Sequence, residues 1–152
     1  DILEFQRKID IKGDPIDMTG RLYIDSIFDR FQFETYESLQ VYYKLDDKNY
    51  TIESIGGGIF YNVDSTKCKN KLFEVRDLLN QQYKTPEIEE DLDKKDLADG
   101  MGNTVYHDIN YYFQNGEMIK ISCNDYDNEL LNAQDYFDLG IYSSEFTRYL
   151  NN

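Results

Sequence analysis

The chain has 152 residues, which suits one domain over residues 1–152 that buries roughly two thirds of the surface its unfolded chain exposes. Acids outnumber bases 30 to 16, leaving a net charge of −14 and a pI of about 4.3. This argues against direct binding of nucleic acid or anionic membrane and leaves a cationic partner, such as a basic protein surface or Ca²⁺. No stretch approaches the roughly 20 apolar residues of a membrane helix, so no membrane insertion is expected.

In the N-terminal third, Phe5, Arg7, Ile9 and Ile11 alternate with Gln6, Lys8 and Asp10. That is a strand pattern, and Gly13-Asp14-Pro15 ends it. Leu22 to Ile24 reads as a short strand. Ile27, Phe28 and Phe31 fit either a strand or a helix period. Residues 36 to 45, YESLQVYYKL, are predicted to form a helix capped by Thr35.

The run YTIESIGGGIFYNV, residues 50 to 63, is strand-like apart from its three glycines. A phosphate-binding loop needs a Lys and a Ser or Thr after the last Gly, opening a helix. Here Gly58 is followed by Ile59-Phe60-Tyr61, which continues as strand. The glycines therefore mark a bulge, a kink, or a place where a helix or Tyr ring packs on bare backbone. The step from Ile52 to Ile55 switches the apolar face, and one extra residue near Ser54, a β-bulge, would restore it.

Asp64 or Ser65 then caps a helix to about Tyr83, with Cys68, Leu72, Val75 and Leu79 as its apolar stripe. Residues 84–103 hold seven acids and three bases. Thr85-Pro86 is a helix start, Ile88 and Leu92 a thin apolar edge, and Gly100 and Gly102 a stop. The expectation is an acidic excursion at the periphery of the domain.

Residues 104–142 read as three strands, whose core faces carry Val105, Ile109, Tyr111 and Phe113, then Ile119, Ile121 and Cys123, then Phe137, Leu139 and Ile141. A two-residue turn at Asn115-Gly116 would set the first two of these faces against each other. A three-residue loop, Gln114-Asn115-Gly116, puts Tyr111 opposite Ile119, Ile109 opposite Ile121 and His107 opposite Cys123. A one-residue slip turns every side chain over, so burial selects the three-residue loop, with Gly116 in the left-handed region. Ser143 caps a final helix with Phe146, Tyr149 and Leu150 inward.

This register puts Cys123 on the core face of the sheet, and the helix stripe puts Cys68 on the face that packs against it. A Cys68–Cys123 disulfide is the expected staple. The two cysteines read otherwise as small buried hydrophobes. His107, the only histidine, reads as a buried, hydrogen-bonded core residue. A Cys123–His107 nucleophile pair would need a free thiol.

The acidic groups Asp91, Asp93, Asp96, Asp99 and Asp125, Asp127, Glu129 lack the EF-hand Gly and Glu and read as solvated acid. No metal or cofactor motif is present, and no catalytic residue stands out. The predicted fold is α+β: a mainly antiparallel sheet of about five strands with helices on one face. The predicted role is a small periplasmic or secreted binding or interaction domain, not an enzyme, whose partner is a basic protein or a small ligand. An opening Asp1-Ile2-Leu3 in place of Met accords with processing of an exported precursor. The alternative is a cytosolic acidic inhibitor, immunity protein or nucleic-acid mimic that presents carboxylates and its 14 tyrosines to a basic partner.

Overall fold

The computed structural model describes residues 15–16, 23–29, 35–44, 48–49, 51–98 and 100–150. The strand pattern at Phe5 to Ile11 lies outside them. The fold is α+β, and the described residues form eight strands in one antiparallel sheet rather than about five. They are β1 (Pro15–Ile16), β2 (Tyr23–Asp29), β3 (Ser38–Lys44), β4 (Ile52–Phe60), β5 (Glu87–Lys95), β6 (Val105–Tyr112), β7 (Met118–Asp125) and β8 (Tyr136–Tyr142). The order across the sheet is β1-β2-β3-β4-β8-β7-β6-β5. Two meanders thus meet at the β4–β8 pair. The helix α1 (Ser65–Gln82) carries the chain from the centre of the sheet to its far edge, packing on β7 and β8.

Two of the expected helices are strands. Residues 38–44 form β3, paired on both sides. Leu39, Val41 and Tyr43 are buried at every second position, a period-two pattern that favours strand over the helix reading. The acidic stretch forms β5, paired with β6 at the sheet edge. Ile88 and Leu92 are four apart, a spacing that serves a helix face and a strand face equally. The side of β5 that has no partner strand among the described residues is covered in charge, as edges commonly are. Gly100 and Gly102, at φ +86° and +61°, turn the chain back into β6 instead of stopping a helix.

The expected bulge, helix cap and hairpin register are present. The β3–β4 register shifts between Tyr42, opposite Ser54, and Tyr43, opposite Ile52, which leaves Glu53 as the extra residue. This is the bulge that the apolar face of β4 requires. Asp64 caps α1, its carboxylate accepting from Lys67 N at 3.0 Å. Tyr111 faces Ile119, Ile109 faces Ile121 and His107 faces Cys123. The hairpin closes with Phe113 N donating to Glu117 O at 3.0 Å and Gly116 N to Phe113 O at 2.9 Å, with Gly116 at φ +84°.

The core lies between α1 and the odd-numbered positions of β6, β7 and β8: Cys68, Leu72 and Val75 against Ile109, Tyr111, Ile119, Ile121, Cys123 and Phe137. Tyr111 reaches up into the helix, its hydroxyl donating to Asn80 Oδ1 at 3.1 Å.

The helices do not share one face. The C-terminal helix α3 (Ser144–Leu150), which follows the single turn α2 (Asn128–Leu131), is capped by Ser143 Oγ, which accepts from Phe146 N at 3.1 Å. Its Phe146 ring lies 4.9 Å from that of Tyr42 and 5.8 Å from that of Tyr142. Both tyrosines sit opposite Ser54, on the even face turned away from α1. Leu150, expected inside, is half exposed, and Thr147 is buried in its place.

Candidate functional site

The even face of β3, β4, β6, β7 and β8 is polar. Between the two meanders it forms a groove of about 480 Å³, a size suited to a small ligand. Its lining includes Tyr106 and Asp108 of β6, Lys120 and Ser122 of β7, and Asp138 and Tyr142 of β8. Strand pairing sets their spacing: Ser122 stands opposite both Asp108 and Asp138. Lys120 stands diagonal to Asp108 and binds its carboxylate at 2.7 Å. Asp96, from the segment after β5, and Gln40 and Tyr42 of β3 complete the rim.

Asp138 is the distinctive group. Burial pushes its carboxyl up to about 6; Lys120 pulls it down and Asp108 pushes it further up. The residue itself is half-buried. Tyr142 is likewise held neutral, first by burial and then by Asp138 and Asp108.

Glycines neighbour the groove residues in the sheet. Gly56 and Gly58 of β4 and Gly140 of β8 share the even face, through the pairs Gly56–Gly140 and Gly58–Asp138. A Cβ on Gly58 would run into the Tyr136 ring, and one on Gly140 into the Tyr142 ring. A Cβ on Gly56 would stand 3.6 Å from Asp138 Oδ1. Gly57 points the other way, under the Tyr36 ring at 3.0 Å. The triple glycine is therefore a strand stripped of side chains so that tyrosine rings lie on it, which is one of the readings its sequence supports.

Cys68 and Cys123 lie at disulfide distance, fully buried, with Cα atoms 5.7 Å apart. His107 is 2% exposed. Its Nδ1 accepts from Asp93 N at 2.9 Å, and burial, then Lys69, push its pKa down. This makes it a neutral core residue, whose buried Nε2 has no partner among the described residues. Asp93 reaches it from the β5 irregularity, at φ +55°.

The two acidic groups do not assemble. Asp91 pairs with Lys94, and Asp96 accepts from Ala98 N. Asp127 caps α2 and holds Asn103 N at 2.8 Å. Asp99 lies outside the described residues. Among the described residues no three His, Cys, Asp or Glu side chains converge as a metal site would require. No described helix is long and apolar enough to cross a membrane.

The groove itself was missed by the sequence reading. The hairpin register already sets Asp108 opposite Ser122. Polar positions alternating with core positions, however, read as an ordinary solvated face. Comparison with known proteins yields no relative: no family model, no curated protein and no solved structure matches the chain.

Proposed function

We propose that this protein is an exported, disulfide-stapled binding domain whose recognition site is the polar groove on the sheet face opposite α1. The observation that carries this is Asp138, a half-buried carboxyl with no ion pair among the described residues, in a groove rimmed by tyrosines. Partial desolvation disfavours a carboxylate that lacks a paired cation, and a ligand that brings one would offset that cost. Export is supported by Cys68 and Cys123, since such pairs persist in oxidising compartments. A thermal-shift screen of a mixed small-molecule library tests the site. Hits should raise the unfolding temperature of the wild type and lose their effect in Ser122→Phe, which fills the groove. Hits that shift both proteins equally would place recognition elsewhere.

A second reading has one observation in its favour. The strand β5 is exposed along nearly its whole length and carries Glu87, Glu89, Glu90, Asp91 and Asp93 on an open sheet edge, a surface suited to a basic protein partner.

A further inference from the structure

We infer that the groove takes a small organic cation, an ammonium group that sits on the Asp138 carboxylate under the ring of Tyr142. The inference rests on the groove being the recognition site and adds the chemical class of what enters it.

The first argument is charge. The groove presents the carboxylates of Asp96, Asp108 and Asp138 and the single ammonium of Lys120. Lys120 is held by Asp108 at 2.7 Å, so its charge is already matched. Asp138 has no cation bound to it, and the charge left over in the cavity is negative. A second anion would be repelled by this carboxylate. An ammonium would neutralise it and donate hydrogen bonds to it in one contact.

The second argument is the walls. Tyr42, Tyr106 and Tyr142 line the same cavity, and aromatic faces attract cations, most strongly when desolvated. The Tyr142 ring is fixed over Gly140, where no side chain can displace it.

The third argument concerns protons. The groups facing Asp138 are Lys120 of β7, Asp108 of β6 and Tyr142 of the same strand, with weaker reach to Tyr36 and Tyr126. From β4 it meets only glycine. Of these groups, Asp138 is the one held near neutrality. An ammonium binds its ionised form, so affinity should be full above the Asp138 pKa and fall below it. A neutral ligand that accepts from the protonated carboxyl would show the opposite trend.

The test uses a matched pair, phenethylamine and 2-phenylethanol, which share a shape and differ in charge, with 1,4-diaminobutane as a second amine and methyl glucoside as a neutral polyol. Binding is read by calorimetry and by backbone amide shifts of residues 106–108, 120–124 and 138–142. The amines should bind at about pH 7.5 at least ~10-fold more tightly than the alcohol, and weaken ~10-fold by about pH 5 as Asp138 takes up its proton. Asp138→Asn, whose folding is verified by its own unfolding transition, should abolish the preference for the amine. Equal binding of amine and alcohol, tighter binding at the lower pH, or an unchanged preference in Asp138→Asn would overturn the inference. If methyl glucoside alone shifts these residues, the cation class fails and the groove stands. If no probe shifts them and no library hit depends on Ser122, both fail.

Discussion

The two faces of this sheet are built from the same strands and do opposite work. On the α1 face, odd positions of β6, β7 and β8 bury Ile109, Tyr111, Ile119, Ile121, Cys123 and Phe137 under one helix, with every contact made within the chain. On the other face, even positions of the same strands place Asp108, Lys120, Ser122, Asp138 and Tyr142 around a cavity. One face spends its chemistry on stability. The other holds a half-buried carboxyl whose ionised form burial disfavours, which is unfavourable for folding. The contrast predicts that damage to the first face costs stability, whereas relief of the second face adds it.

The largest effect should come from the staple. Residues 68 and 123 are 55 apart in sequence, and closing such a loop stabilises by about 4 kcal/mol in the chain-entropy model. Thiol titration of the unfolded, unreduced protein should find no free thiol, and denaturant unfolding with and without reductant should differ by that amount. Two titratable thiols in protein isolated without reductant would remove both the staple and the argument for export.

The next contrast compares one residue from each face. Leu72 is completely buried against β7 and β8, and Leu72→Ala should cost about 3 kcal/mol, the middle of the range for such cavities. Ser122, buried on the groove face, should lose less than about 1 kcal/mol on conversion to Ala, as is usual for one modest hydrogen-bonding group. Equal costs in equilibrium unfolding would mean that the groove face is an ordinary core.

These two faces differed in how legible they were. The apolar face could be read from the chain because burial enforces a parity. Tyr111 meets Ile119 only if the loop has three residues, and the step from Ile52 to Ile55 demands a bulge, which the structure has at Glu53. Parity failed where four-residue spacings suit both periods, as with Ile88 and Leu92. In β3 the alternation of Leu39, Val41 and Tyr43 is masked by Tyr36 and Tyr42, which also fit a helix period. The groove has no such rule. Asp138 differs from any exposed Asp through what surrounds it: bare glycine on β4, the ring of Tyr142, and a partner helix that packs at the end of the face instead of across it. Those neighbours come from strands about 80 residues apart and leave no local pattern.

Acid–base behaviour separates the faces next. A carboxyl held near 6 in the native state and near 4 when unfolded keeps its proton longer when folded. Between those two values the native state binds more protons than the unfolded one, so stability falls as pH rises through that window and rises as pH falls. For Asp138 the full effect above about pH 6 is on the order of 3 kcal/mol. Asp135 is raised in the same direction, first by burial and then by Asp125, so the whole protein's curve contains both. The difference between wild type and Asp138→Asn isolates one. It should be near zero at about pH 4 and favour the variant at about pH 7. A variant less stable than wild type at neutral pH would mean that the carboxylate has a partner after all.

The smallest effect compares two adjacent glycines on opposite faces. Both sit in extended backbone, so a Cβ is not excluded by dihedral angles, and Gly→Ala at an unstrained site gains about 0.4–1 kcal/mol from the unfolded chain. What differs is the ring above each. At Gly58 the new methyl would occupy the place of the Tyr136 ring, whose hydroxyl bonds Ser38 Oγ at 3.0 Å and whose ring packs 4.8 Å from Phe60. The ring must leave, and both contacts go with it. At Gly57 the methyl would stand 3.0 Å from Tyr36 Cδ1, a clash that a shift of a few tenths of an ångström relieves. Gly58→Ala should therefore cost about 1–2 kcal/mol net, within the overpacking range, and Gly57→Ala close to zero. The measurement is chemical denaturation of both variants side by side. Costs in the reverse order would show that the Tyr136 ring is not what the bare backbone of β4 is there to receive.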